Sequence, residues 1–323
     1  MLRRLFRNPI LRRILSTFAT LIGVAVFVFI MLRAIPGNQI TAGLGTEAAA
    51  LTPVQKAALE AYYGLDQPLV LQFFSWIGNI FTGNLGFSSR AQESVLSLTA
   101  ESLPVTFELA IFSITLALGI GIPLGMLSAS RPDSPRDALG QVVGLAGLSI
   151  PAFLLATTLL AVLASSFGYN PNGEGFAYFF DNPLLNLQQM MLPSIVLGFG
   201  IAAPIMRTTR TAVLEIRAND FVRTARAKGI PPRRLQLKHV LGNALVPIVT
   251  MTGLQFGYLL GGAVVVEQIF SLPGIGRQVL LGIQQKEYAL VQSTVLVIAL
   301  AFVIVNLLTD LLYRIIDPRV RAK

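Results

Sequence analysis

Apolar residues in this chain gather into long runs rather than alternating with polar ones, and six of the runs are long enough to cross a bilayer. A helix spanning about 30 Å of hydrocarbon takes roughly 20 apolar residues, because each residue rises about 1.5 Å and every backbone polar group must be satisfied within the segment. The runs lie at 14–32, 109–127, 142–164, 190–206, 245–266 and 291–312, and they predict an all-α integral membrane protein with six transmembrane helices. The fourth is the shortest and carries Pro193 and Pro204. Proline is tolerated in a span where neighbouring helices re-satisfy the freed carbonyls, so this helix is expected inside the bundle.

Two of the connecting segments are too long to be turns. Within 33–103, Thr52-Pro53-Val54-Gln55 offers an N-cap, a proline at the first helical position and a reciprocal partner at the third, and Gly64 can close the helix in a left-handed conformation. A short helix over 53–63 is predicted. Leu69, Phe73, Trp76, Ile77 and Ile80 then recur at helical spacing with the one tryptophan among them. Two readings stay open for this second helix: lying in the membrane interface, or packing on the bundle. Segment 207–244 reads as helix, break, helix, the break being Gly229-Ile230-Pro231-Pro232, with a short helix expected over 232–241. It is either a basic connector held at an anionic membrane surface or a docking element.

Composition supports the bilayer as solvent: of 323 residues, 54% are hydrophobic and 13% charged, with mean hydropathy +0.67. A net charge of +9 raises nucleic acid as a partner, but the distribution of the charges gives another account. With the N-terminus cytoplasmic, twenty of the 25 basic residues fall on the inner side, nine of them in 207–244, which leaves Arg33, Lys56, Arg90, Arg277 and Lys286 outside. The positive-inside rule therefore places both termini in the cytoplasm, and no nucleic-acid partner is expected. Arg3, Arg4, Arg7, Arg12 and Arg13 resemble the basic region of a signal peptide, yet the run that follows is long and lacks a small-residue cleavage site, so it reads as a retained anchor.

Candidate chemistry is sparse. There are no cysteines, and His239 is the single histidine, so no thiolate or two-histidine metal site is expected. No Gly-x-x-x-x-Gly-Lys-Ser/Thr phosphate loop and no Gly-x-Ser-x-Gly elbow occurs, so the chain carries no evident means of using ATP and no nucleophile motif. Asp310 is expected to pair with Arg314 four residues on, and Glu108 to have a similarly structural role. Gly119, Gly121 and Gly125, with Gly261 and Gly262, are read as close-packing positions between helices. An energy-independent channel or secondary carrier is the main competing class, disfavoured by the few central charges and the lack of an evident inverted repeat.

At Phe221-Val222-Arg223-Thr224-Ala225-Arg226-Ala227-Lys228-Gly229, followed by Lys238-His239 and Asn243-Ala244-Leu245-Val246-Pro247, the sequence resembles the cytoplasmic EAA loop of binding-protein-dependent ABC importer permeases. Arg223-Thr224-Ala225 stands for Glu-Ala-Ala and Gly229 keeps the loop's glycine, the form usual in the branch carrying dipeptides, oligopeptides and nickel. Further strings are similar to that branch's B-type subunit: Arg33-Ala34-Ile35-Pro36-Gly37, Gly64-Leu65-Asp66-Gln67-Pro68-Leu69, Gly83-Asn84-Leu85-Gly86, Gly121-Ile122-Pro123-Leu124-Gly125 and Ser149-Ile150-Pro151-Ala152-Phe153. The series ends in Glu267-Gln268-Ile269-Phe270, Pro273-Gly274-Ile275-Gly276-Arg277, Asp310-Leu311-Leu312-Tyr313 and Asp317-Pro318-Arg319. Lys286-Glu287-Tyr288-Ala289 departs from the commoner Arg-Asp-Tyr-Pro.

The resemblance implies a type I importer permease in the bacterial inner membrane, importing peptides, nickel complexes or glutathione. Its partners would be a second homologous permease subunit, one or two cytoplasmic ABC ATPase subunits, an extracytoplasmic solute-binding protein and membrane lipid. No cofactor is expected in this chain, ATP and Mg being held by the ATPases. The implied docking loop comprises Arg223, Thr224, Ala225, Gly229, Pro232, Arg233, Arg234, Leu235, Lys238, His239, Leu241, Asn243 and Pro247. The implied organisation is a basic N-terminus with the first span (1–32), an extracytoplasmic segment (33–103), a permease core (104–317) with the loop at 207–244, and a cytoplasmic tail (318–323).

Overall fold

The computed structural model describes residues 9–34, 51–62, 64–170, 173 and 175–316. The basic stretch at Arg3, Arg4 and Arg7, the Ile35-Pro36-Gly37 string and the tail 318–323 lie outside the described residues, as does the side chain of Arg314 expected to pair with Asp310. The elements in chain order are α1 (Pro9–Ala34), α2 (Pro53–Tyr62), α3 (Leu69–Phe81), β1 (Phe87–Ser88), β2 (Glu93–Ser94), α4 (Val95–Ser130), α5 (Pro135–Ser149) and α6 (Ala152–Phe167). They continue with α7 (Pro183–Arg217), α8 (Asp220–Ala227), α9 (Pro232–Arg234), a π-helical segment (Leu235–Leu241), α10 (Gly242–Gly262), α11 (Val264–Ile269), α12 (Ile275–Gln284) and α13 (Tyr288–Ile316). Two compact units result: Met1–Pro104 with Gly274–Val303, and Val105–Pro273 with Ile304–Lys323.

In the first unit the local signals are realised. Thr52 and Gln55 form the reciprocal cap, the Gln55 amide donating to the Thr52 hydroxyl at 3.3 Å and the Thr52 amide to Gln55 Oε1 at 3.0 Å. Gly64 adopts φ +64°, and the Leu65 amide reaches back to the Glu60 carbonyl at 2.7 Å. α3 turns Phe73 and Trp76 to the α1 ring of Phe29, with centroids 5.2 Å and 6.2 Å away, and leaves Val70, Leu71 and Phe74 exposed. One face of this helix therefore packs on α1, as the second of the two readings expects, and the other is open. A two-residue hairpin pairs Phe87 with Ser94 and Ser88 with Glu93. Glu287 accepts the Ser88 hydroxyl at 2.6 Å and the Arg90 amide at 3.0 Å. A Cβ on Gly86 would stand 2.8 Å from Ala289 Cβ, so the departure at Lys286-Glu287-Tyr288-Ala289 sits where the backbones are in contact.

The second unit is built around α7. In its most apolar window 72% of residues are buried, against 39% or less in the other long spans, so the proline-bearing helix is the internal one. Pro193 and Pro204 lie within it without ending it. α4 approaches α7 closely: a Cβ on Gly121 would meet the Ala202 carbonyl oxygen at 2.8 Å, and one on Gly125 the Met206 carbonyl oxygen and Thr209 Cβ, each at 2.6 Å. Gly119 and Gly261 have nothing within 4 Å, so they are not the close-packing positions expected; their Cα atoms face open space. Leu109, Met190, Ile205, Leu259, Phe270 and Leu272 form one buried cluster. Two polar contacts inside the unit join distant parts of the chain, Thr106 Oγ1 donating to Glu267 Oε1 at 2.6 Å and Asn186 Nδ2 to Glu108 Oε2 at 3.3 Å.

Four span boundaries need correction. The second run, 109–127, lies within α4, which begins at Val95 and so takes up the end of the expected extracytoplasmic segment. The third run, 142–164, is two helices meeting at 93°. Ile150 and Pro151 are both extended there (ψ 116° and 135°), because proline has no N–H to donate and disfavours helical backbone at the residue before it. The fourth, 190–206, runs instead over Pro183–Arg217, so Arg207, Arg210 and Arg217 are helical residues rather than part of a loop. Its inner end stays in the bundle because Arg210 is neutralised: Nε and Nη2 reach the two oxygens of the fully buried Asp137 at 2.7 Å and 2.6 Å. The fifth gives way at Ala263 to α11.

Candidate docking site on the inner face

α7 runs past the apolar core and hands the chain to α8 through Ala218 and Asn219. α8 is closed by a Schellman arrangement. The Gly229 amide donates to the Arg226 carbonyl at 3.0 Å and the Ile230 amide to the Ala225 carbonyl at 3.3 Å, with Gly229 at φ +75°. The hydrophobic contact that accompanies this motif is present, since Ala225 and Ile230 both pack on a second buried cluster of Ala129, Ala212, Val213, Val222, Leu235, Val240, Ala244 and Ile248. The glycine signal in the sequence is therefore a real turn, and it folds the loop back on the bundle.

Beyond the turn, α9 continues without a break through the π-helical segment into α10, whose cap residues Leu241 and Gly242 are themselves helical. The short separate helix expected over 232–241 is thus the first part of a longer one. Its winding has a packing consequence. Leu235 and Val240 are five residues apart and both buried, a spacing that i→i+5 winding brings onto one face and ordinary α-winding does not.

The predicted site residues divide by face. Arg223, Thr224, Gly229, Pro232, Arg233, Arg234, Lys238 and Asn243 are exposed. Leu235 is buried, and Ala225, His239, Leu241 and Pro247 are half-buried. Leu235, named in the implied docking set, instead packs into the buried cluster and holds the loop to the bundle. Asn243 Nδ2 donates to the His239 carbonyl at 2.6 Å. Pro247 lies in α10 and lines a cleft of ≈530 Å³ with Leu148, Pro204, Arg207, Thr211 and Met251, away from the exposed loop surface.

The implied docking set singles out neither Phe221 nor Leu237, which are 44% and 48% exposed on this surface. The signal was available, two large apolar side chains in a segment otherwise basic. Around them stand Arg223, Arg226, Lys228, Arg233, Arg234 and Lys238, all exposed. Arg223 reaches Asp220 at 3.5 Å, a pair open to water on both sides and so of little energetic weight. A cleft of ≈140 Å³ opens between α8 and the π-helical segment, lined by Val222, Ile230, Pro232, Leu235 and Val240 with Arg217 and Arg226 at its edge. The surface combines two apolar residues, a shallow cleft and a cationic surround, the composition of a protein-docking patch with a polar rim.

Comparison with known proteins identifies the family. Residues 121–322 match the family described as binding-protein-dependent transport system inner membrane component, and residues 5–110 match the N-terminal membrane component of the same transport systems. Similar over nearly their whole lengths are a glutathione transport system permease protein, GsiC, of Pectobacterium atrosepticum, 36% identical over 98% of this chain and 99% of its own, and a Brucella ovis permease. The Brucella protein, whose name assigns it provisionally to peptides, is 38% identical over 97% of this chain and 98% of its own. Among solved structures, a chain of the MetNI methionine ABC transporter in an inward-facing conformation aligns with TM-score 0.54 at 18% identity, covering 68% of this chain and 96% of that one, a likeness of fold. The chain belongs to the binding-protein-dependent ABC importer permeases of the inner membrane, in the peptide and nickel branch.

Proposed function

We propose that this chain is one translocation subunit of an ATP-driven importer that takes up small peptides handed over by an extracytoplasmic binding protein. The observation that carries the reading is the inner-face loop. It is a two-part helical element locked to the bundle by Leu235 and Val240, turned at Gly229, and presenting Phe221 and Leu237 among cations. A connector that only retained a membrane surface would need the cations and not the buried attachment. ATP and Mg bind on cytoplasmic ATPase subunits seated against Arg223, Thr224, Gly229, Pro232, Arg233, Arg234 and Lys238. A second, homologous permease completes the path. Peptides are supported as the solute by the names of the Brucella relative and of the glutathione permease, glutathione being itself a small peptide.

The test is purification of the tagged chain from native membranes in mild detergent, with identification of what accompanies it and an assay of ATP hydrolysis. A second permease, an ATPase and a binding protein are expected, and the binding protein then reports the solute by direct titration with dipeptides, longer peptides and glutathione. A chain that purifies alone and transports without ATP would refute the importer and favour a channel or secondary carrier.

A further inference from the structure

α5 touches the rest of its unit along a single edge. Its fully buried residues are Asp137, Gly140, Gly144 and Gly147, spaced three or four apart on one helical face. A Cβ on Gly140 would stand 3.2 Å from Met206 Cε, and one on Gly147 3.1 Å from both Ala203 Cβ and the Phe199 carbonyl oxygen, so this edge lies directly on α7. The other side of α5 is open, with Leu139 65%, Val142 62% and Leu145 63% exposed. A glycine seam brings two backbones together and sets their register, but it buries almost no side chain and so supplies little attachment of its own.

The attachment is at Asp137. Its carboxylate takes a two-pronged bond from Arg210 at 2.7 Å and 2.6 Å, accepts the Asp133 amide at 3.0 Å and the Ser128 hydroxyl, and is fully buried. A planar fork on a carboxylate fixes orientation as well as distance. At its far end α5 stops at Ile150-Pro151, where α6 leaves at 93°. α5 is thereby fastened sideways to α7 and only loosely aligned with its own continuation. α7 leads directly into the docking loop, and Leu148, in the last turn of α5, borders the ≈530 Å³ cleft shared with α7 and α10.

We propose that Asp137 and Arg210 are positioning residues that make α5 and α7 one moving body, so that displacement of the docking loop swings α5 about Ile150-Pro151 and changes the width of the cleft beside Leu148. The proposal rests on the importer reading, in which ATPases move that loop.

The chain has no cysteine, so paired spin labels can be placed in it without background from its own residues, and the assembly labelled without the introduced cysteines corrects for the partners. In the assembled transporter, Leu145→Cys with Ile195→Cys reports α5 against α7, and Leu145→Cys with Val162→Cys reports α5 against α6. Between the nucleotide-free state and the state trapped with ATP and vanadate, the first distance stays constant and the second shifts beyond the width of its distribution. A change in the first, or a fixed second, overturns the proposal. Asp137→Asn in the same assembly is expected to keep ATP hydrolysis within about twofold while solute moved per ATP falls about tenfold. Arg210→Lys, which keeps the charge and loses the fork, falls between the two. Hydrolysis and uptake declining together, as a fold defect would produce, or uptake unchanged, counts against it. If the label-free chain brings down no ATPase, the importer reading fails and this proposal with it; an ATPase retained alongside a fixed α5–α6 distance sinks this proposal alone.

Discussion

Replacing Gly229 separates the two reasons a loop glycine can matter. The residue is at φ +75° and its Cβ direction is open, with nothing within 4 Å. Gly229→Ala therefore introduces no clash within the chain, and its cost is that of placing an L-residue in the left-handed region, about 1 kcal/mol. Because the turn carries the Ile230-to-Ala225 bond and seats Ile230 on the second cluster, that cost falls on the folded loop as a whole. One kcal/mol is a factor of about five in the population of the folded loop, so ATPase affinity should weaken by no more than about fivefold. Gly229→Asn, whose side chain tolerates the left-handed region, should weaken it less. The assay is titration of the purified ATPase onto the permease in nanodiscs, followed by fluorescence anisotropy. If Asn proves worse than Ala, the partner's surface and not the turn sets the requirement, and the conformational reasoning is wrong. If both are silent, the folded loop is stable enough to absorb the cost, and the left-handed turn does not limit ATPase binding.

Other expectations follow from the packing. Gly125→Ala must push α4 off α7 against a carbonyl oxygen and a Cβ each 2.6 Å away, and should destabilise by about 1–3 kcal/mol, seen as a lower unfolding temperature in detergent. Gly119→Ala, six residues earlier on the same helix but in open space, should leave that temperature unchanged or slightly raised. Thr52→Ala removes one half of the reciprocal cap, so amides of α2 should exchange faster, by about 1 kcal/mol of local stability, with transport unaffected. A cysteine at Lys56 should react with an impermeant thiol reagent from the outer side and one at Lys228 only after the membrane is opened; the reverse pattern would overturn the assigned orientation.

The parts legible in the sequence share a property: their physics is complete within a few residues. The Thr52–Gln55 cap and the left-handed glycines at 64 and 229 each need only local chain, and each is found where its residues indicated. Proline was ambiguous for the opposite reason. Pro151 breaks its span, whereas Pro193, Pro204 and Pro247 sit inside continuous helices, so the residue type alone does not say which occurs. The end of α7 was misplaced because Arg210 reads as a boundary until its partner is known, and Asp137 is 73 residues away. Gly119, Gly121 and Gly125 look alike in the sequence; helical register alone decides which of them meets α7. In the candidate site the basic residues announced themselves, but the sorting into an exposed contact face and a buried foot at Leu235 depended on the π-winding, which nothing in the sequence signalled.

That winding makes the loop's second half and α10 a single rod. From Pro232 to Gly261 the helix runs for 30 residues, about 45 Å. Such a rod is a lever arm: a tilt of about 5° at the cytoplasmic end displaces the far end by about 4 Å, roughly the diameter of a methyl group. Movements at the ATPase too small to rearrange any contact locally are in this way magnified along the molecule, and stiffness, rather than affinity, becomes the property on which substitutions along α10 act.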